Sequence, residues 1–332
     1  MKKINENFLK VLKENSIKLN ETSFKLNENI DINLANTNDL IGKICENKFQ
    51  KSLLYQICDV IPMKHPTGNL AYIWYDDKQN RIEVENKIVN AVVDKIISSE
   101  ITTETIENLK NLYDINAIDF LKDSFIQLSN NNENARLLKL LNAESTDADP
   151  VTLTDPNNDE IICYNILQRA SECIALSNTI YTRGFNGFLL VPRKVAGAFI
   201  GMSFKFKQNL PEDDITICDT GRFKVYIVPD IDLDGDTGED TCYVGIKTNT
   251  LGQSALQLTP YALTFSEATD FESGHKSIFL NNRYGLTVSA FHNAEPDNIE
   301  NNTKLKDTKR SYDRKRGMSS KVSMLYKFKV KF

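Results

Sequence analysis

The sequence has few of the residues that catalytic chemistry usually needs. Only three histidines occur, His65, His275 and His292, and one tryptophan, Trp74. No histidine has a Cys, His, Asp or Glu at a ligand spacing such as H-x-x-E-H, which excludes the common zinc signatures. His65 lies in a Pro-flanked turn and His292 follows a strand, so both read as surface residues. The chain has no G-x-S-x-G, no Walker A loop and no G-x-G-x-x-G. Arg183-Gly184-Phe185-Asn186-Gly187 is too short and wrongly flanked for a dinucleotide loop. The expectation is a protein that is not an enzyme and takes no cofactor. The six cysteines, Cys45, Cys58, Cys163, Cys173, Cys218 and Cys242, form no C-x-x-C pair. Their scatter fits buried, reduced thiols. The most apolar run, GFLLV, is cut by Pro192-Arg193-Lys194, so no segment is expected to span a bilayer. Met1-Lys2-Lys3 is followed by polar INEN and not by an apolar signal stretch.

What is present is an ordinary globular composition. Of the 332 residues, 41% are hydrophobic and 26% charged, enough to bury a sizeable core. The net charge of -5 implies no global affinity for nucleic acid.

Residues 1–40 are polar and Asn-rich, with Phe8, Leu9, Val11 and Leu12 at helical spacing. The strings LKE, LNE and LNE start at Leu12, Leu19 and Leu26. Ile61 to Glu85 reads as a β-hairpin: Leu70, Tyr72 and Trp74 alternate with Ala71, Ile73 and Tyr75, then comes a polar tip and Arg81 to Glu85. A hairpin of that length cannot bury both faces alone, so it wants a partner surface. Lys87 to Ile97 reads as a helix. Ile101 to Leu121 reads as another, capped by Thr102 or Thr103, broken at Asp114-Ile115-Asn116 and resumed from Ala117 to Leu128. Ser145 to Glu160 is a loop and Ile161 to Ile180 a helix. Phe188 to Val191 is a short strand, with a helix from Lys194 to Phe199.

From Gly221 the chain is β-rich. GRFKVYIVPD and CYVGIKTNT form an expected strand pair, followed by LQLTPYALTF and NNRYGLTVSAF. At the end Val322, Met324, Tyr326, Phe328, Val330 and Phe332 alternate with Lys327, Lys329 and Lys331, a half-buried strand with a basic outer face.

Two charged features invite chemistry. Asp230, Asp232, Asp234, Gly235 and Asp236 read D-x-D-x-D-G-D, the opening of a calcium loop. The twelfth position is Thr241, where a bidentate Glu belongs, and strands flank the run where helices should. The alternative is an exposed hairpin tip made acidic for solubility. Residues 304–331 hold eleven Lys or Arg against Asp307 and Asp313. Such a tract suits phosphates or acidic patches on a neighbouring copy, and the acidic remainder of the chain favours the neighbour.

The order of these blocks resembles the major capsid protein of T-even-like tailed phages. The family pattern V-G-x-K, APYVPL, TRYG, NPF is met by Val244-Gly245-Ile246-Lys247, Thr259-Pro260-Tyr261-Ala262-Leu263 and Arg283-Tyr284-Gly285, with Ser289-Ala290-Phe291 in the last place. IPMKHPTGN resembles the stretch leading into the family's extended loop, and GFNGFLLVPRKVAGAF resembles its axial-domain turn. The chain is short for the family, so an insertion domain is expected to be missing.

The resemblance implies the mixed α+β fold of tailed-phage capsid proteins. Its parts would be an N-terminal arm (1–40), a peripheral domain (41–150) with the extended hairpin loop (about 68–90) and spine helices, an axial domain (151–265), and a return to the peripheral domain with the C-terminal strand (266–332). The implied function is self-assembly into hexamers and pentamers of an icosahedral shell around double-stranded DNA. Implied partners are scaffold, portal and vertex or decoration proteins, with packaged DNA touched non-specifically and no membrane. The implied location is the virion capsid, assembled in the host cytoplasm. The L-x-E strings resemble the family's trimming site. Inter-subunit contacts would fall on Trp74 and Tyr75 near the hairpin base, on Arg81, and on Arg193 with Lys194 in the axial domain. The rival readings are a vertex-only paralogue or nanocompartment shell of the same fold, and a calcium-binding β-rich module.

Overall fold

A computed structural model describes residues 51–76, 81–93, 97–113, 117–178, 186–202, 215–229, 240–248, 254–269, 275–290 and 323–331, with Val11, Glu14, Asn15 and His292. A short helix, α1 (Leu53–Ile57), leads into β1 (Asp59–Val60) and the hairpin strands β2 (Thr67–Asp76) and β3 (Arg81–Asn90). Then come β4 (Val92–Val93), β5 (Ile97–Thr102), α2 (Thr103–Tyr113) and the long α3 (Ala117–Glu144). Next are β6 (Thr146–Asp147), β7 (Val151–Thr152), α4 (Asp159–Asn178), β8 (Gly187–Val191), α5 (Arg193–Met202), β9 (Thr216–Asp219), β10 (Phe223–Ile227) and β11 (Thr241–Ile246). Two long strands, β12 (Leu256–Thr269) and β13 (His275–Val288), precede the final β14 (Leu325–Lys331).

Local chemistry accounts for the helix starts. The Thr102 hydroxyl accepts the Thr105 N–H at 3.2 Å and caps α2. Asn158 caps α4 by accepting from Glu160 and Ile161, and Asp159 and Glu160 favour its positive end. The expected helix over residues 87–97 does not form. The described residues of that stretch build the end of β3, β4 and the start of β5, with Lys87 and Val89 opposite Leu70 and Gly68 of β2. Cross-strand pairing of a β-branched run overrides its weak helical period. Conversely, α3 runs on to Glu144, far beyond Leu128. The polar run Ser129 to Asn134 hides this continuation in the sequence, yet Ser129, Asn130 and Glu133 are buried.

Two sheets organise the chain. The first has the order β1-β12-β13-β4, with β5 also pairing β13. The second has seven strands in the order β6-β14-β11-β8-β10-β9, with β7 also on β14. The expected neighbours β10 and β11 are therefore separated by β8, parallel to one and antiparallel to the other. The reason lies in GFLLV. Phe188 and Leu190 enter one core with α1 and α3, while Leu189 and Val191 enter a second core with α4 and α5. A strand apolar on both faces belongs in the middle of a sheet.

The C-terminal alternation holds from Tyr326 to Lys331, while Val322 and Phe332 lie outside the described residues. Tyr326, Phe328 and Val330 are buried in the second core, while Lys329 and Lys331 are exposed. Lys327 donates to the Asn142 carbonyl at 3.0 Å and so ties β14 to the end of α3. Met324 precedes the strand and packs in the first core. Residue 265, the expected end of the axial domain, falls inside β12, and β14 shares a sheet with β8, β10 and β11.

Cys58, Cys163, Cys173, Cys218 and Cys242 are all buried and free. Burial pushes the thiols of Cys58, Cys163 and Cys173 up to about 12 and that of Cys218 up to about 11, with Cys242 moved the same way. In the unfolded chain these thiols ionise near 9.0. Their contribution to stability is thus fully present below pH 9 and is lost as pH rises towards 12. The unfolding midpoint is expected to be flat from pH 7 to 8.5 and to fall above pH 9, as read by denaturant titration. At pH 8 a thiol reagent should modify at most one cysteine of the native chain and all six after denaturation. No described helix is long and apolar enough to cross a membrane.

Candidate assembly interface

The hairpin is a ladder of ten pairs, from Thr67 opposite Asn90 to Asp76 opposite Arg81. It forms a two-stranded sheet of its own, about 33 Å long at the rise of an extended strand. Trp74 stands opposite Glu83, and Tyr75 opposite Ile82. These residues lie at the distal end beside the tip, not near the base as expected. Thr67 and Asn90 mark the base.

The base of the hairpin is seated on the first sheet. A Cβ at Gly285 of β13 would stand 2.5 Å from Val89 Cγ1, so the missing side chain is what lets β3 lie there. The Lys87 ammonium donates to the Val288 carbonyl at 3.0 Å. Burial pulls its pKa below the ordinary lysine value, an effect that Glu144 opposes. Ile88 and Val92, on the same stretch, stay 71% and 50% exposed, an apolar rim where the hairpin leaves the body.

Two of the blocks that carry the family resemblance, TPYAL and RYG, form one ladder. Thr259 pairs with Gly285, Pro260 with Tyr284 and Ala262 with Arg283, with a register shift between Pro260 and Ala262. Tyr284 is 1% exposed, and the Arg136 guanidinium of α3 lies 4.8 Å from its ring centroid. Lys247 donates to the carbonyls of Gln56 and Cys58, the latter at 2.9 Å, at the C-terminal end of α1 where a cation is favoured. Glu133 of α3, 1% exposed, accepts from the Ser52 hydroxyl at 3.1 Å and from the Asn282 amide at 2.6 Å. It thereby joins α1, α3 and β13.

Arg193 and Lys194 open α5 and are exposed. Lys194 is bonded within its own chain, to Asp240 at 2.9 Å. Asp240 immediately precedes β11, and because β8 lies between β10 and β11 those two strands are not paired as a hairpin. Asp230, Asp232, Asp234 and Asp236 lie outside the described residues, as do Cys45, the L-x-E strings beyond Asn15 and the basic residues from Lys304 to Lys321. Among the described residues no group of three or more His, Cys, Asp or Glu is placed to hold a metal.

His292 departs from the surface reading. It is 8% exposed, its Nε2 lies 2.8 Å from the Glu144 carbonyl, and its Nδ1 accepts the Met324 N–H at 3.1 Å. Sequence reasoning also passed over Asn15, Glu133 and Lys247. Each is a polar residue in a polar stretch or a strand end, and each has its partners far along the chain.

A family model described as major capsid protein Gp23 matches residues 92–323. No curated protein sequence matches. Among solved structures, one from Mycobacterium phage Adephagia is similar at a TM-score of 0.51 and 9% identity, covering 85% of this chain and 91% of that chain. One from Mycobacterium phage Bobi is similar at 0.49 and 12%, covering 85% and 91%. The virus-like particle from Pyrococcus furiosus is similar at 0.47 and 9%, covering 75% and 94%. The likeness to the Adephagia structure speaks for a shared fold.

Proposed function

The chain belongs to the major capsid protein Gp23 family, and from that premise we propose that it builds a phage head by self-assembly into hexamers and pentamers around double-stranded DNA. A major capsid protein is a structural component of the virion shell and not an enzyme. The observation that carries the finer reading is the hairpin. Its ten-pair ladder pairs with no further described strand, and an isolated two-stranded ribbon is marginal in water. A neighbouring copy supplies the missing surface. Each such contact is weak, but repetition and closure make the loss of one subunit costly.

Trp74, Tyr75 and Arg81, all near the tip, are the hairpin residues assigned to the neighbour. Arg193 belongs to the axial contact, and Lys194 reaches it only by sharing or leaving Asp240. Scaffold, portal and vertex or decoration proteins are the further partners of this reading. The basic tract faces acidic surfaces of neighbouring copies in preference to packaged DNA, because the rest of the chain is strongly acidic.

Sucrose-gradient sedimentation with negative-stain imaging of the fast fractions tests the proposal. Rings or closed shells are expected from the purified chain or from the chain with scaffold. A species that stays monomeric at every concentration, with scaffold and without, overturns it. Arg81→Ala should lower the yield of shells about tenfold, on the order of a hot-spot loss; an unchanged yield removes the hairpin contact from the account.

A further inference from the structure

Asn15 lies in a helical turn with Val11 and Glu14 and is 8% exposed. Its side-chain amide donates to two backbone carbonyls, that of Met63 at 2.8 Å and that of Tyr261 at 3.0 Å. These carbonyls belong to two separate segments, the lead-in that follows β1 and the strand β12. β1 pairs with β12 only at Asp59 and Val60, and beyond it Ile61 and Met63 donate to Leu258 and Pro260. Pro260 has no N–H to return, and Tyr261 falls at the register shift between Pro260 and Ala262. The ladder between the hairpin lead-in and β12 gives out at that point, and one Asn amide bridges the gap with its two N–H groups.

Met63 connects this bridge to the hairpin. Its side chain is 5% exposed, and its Cε would stand 3.0 Å from a Cβ at Gly68, the second residue of β2. The line from Asn15 through Met63 to Gly68 therefore ends at the hairpin base.

We propose that Asn15 is a latch that fixes the hairpin lead-in, residues 61–66, against β12, and that its release frees the hairpin to turn towards a neighbouring copy. The release half rests on the hairpin being the inter-subunit arm. Asn15 is a positioning residue acting through Met63. An aspartate there has no N–H and would set a carboxylate against two carbonyls. An alanine leaves both carbonyls without the donor.

Hydrogen exchange on the full-length, unassembled chain tests the latch. Asn15→Asp and Asn15→Ala should speed exchange over residues 61–76 about tenfold, while α4 and β8 exchange at the wild-type rate. Asn15→Gln keeps the two N–H groups and should recover at least half of the protection. Exchange over 61–76 within about twofold of wild type, or an equal rise throughout the chain, overturns the latch. Assembly kinetics test the release: Asn15→Asp should form shells about threefold faster than wild type, and an equal or slower rate overturns that half. Exchange is read before any assembly. A wild-type chain that forms no shells therefore counts against the proposed function and leaves the latch to stand or fall on the exchange data.

Discussion

Gly245→Val is expected to destabilise the chain by about 3–4 kcal/mol, or to abolish folding. Gly245 sits in β11, opposite Phe188 of β8 on one side and Leu325 of β14 on the other. A Cβ there would stand 2.6 Å from Leu325 Cδ2 and 2.6 Å from Phe188 Cζ. Phe188 is 1% exposed and Leu325 is fully buried, so neither can move aside without opening the first core. Gly197→Ala, on α5, is the matched control. A Cβ at that position meets nothing within 4 Å, so the substitution should stabilise the helix by up to about 1 kcal/mol. Urea unfolding of the two variants measures both. Equal midpoints would show that the glycine of V-G-x-K is not there for close approach.

The second large effect is expected at Glu133. Glu133→Ala takes the acceptor away from the buried Ser52 hydroxyl and the buried Asn282 amide at once. Leaving two buried donors unmet should cost about 3 kcal/mol. Glu133→Gln keeps the shape and one acceptor. Its new N–H₂ faces groups that can reorient, because the Ser52 hydroxyl can rotate and accept. About 1 kcal/mol is expected there. Denaturant midpoints give the values, and a double-mutant cycle of Glu133→Ala with Asn282→Ala should show coupling above about 1 kcal/mol. Additive losses would mean that Glu133 does not join α3 to β13. β13 carries the hairpin base, so a loose joint between α3 and β13 leaves that base less firmly fixed.

The sequence showed most clearly where its pattern was local. The alternation of Tyr326, Phe328 and Val330 with Lys327, Lys329 and Lys331 specified a strand buried on one face, and the structure contains it. Thr102 marked the start of α2. Leu256 to Phe265 and Asn281 to Phe291 read as β-rich, and β12 and β13 run through them, β13 starting earlier, at His275, and ending at Val288. The hairpin was legible from its alternation and polar tip, although Trp74 and Tyr75 lie at its distal end and not near its base.

Residues whose partners lie far away were not legible. Glu133 sits in SNNNEN, a run that reads as surface, and is buried only because Ser52 and Asn282 come to it from 81 and 149 positions away. Asn15 meets Tyr261 across 246 positions. His292 looked like the residue after a strand and proved to be a bridge between Glu144 and Met324.

By itself, then, the sequence determined many of the strands and helices, though not residues 87–97 or the full length of α3, and, through the spacing of V-G-x-K, TPYAL and RYG, which family the chain resembles. Those signals are set by the pleat and the helical turn, which act over a few residues. Tertiary structure alone decided that β8 lies between β10 and β11, that Pro260 meets Tyr284, and that Asn15, Glu133 and His292 find their distant partners. Strand order is a choice among surfaces that bury similar area, and a buried polar group is tolerated only once its partner is in place.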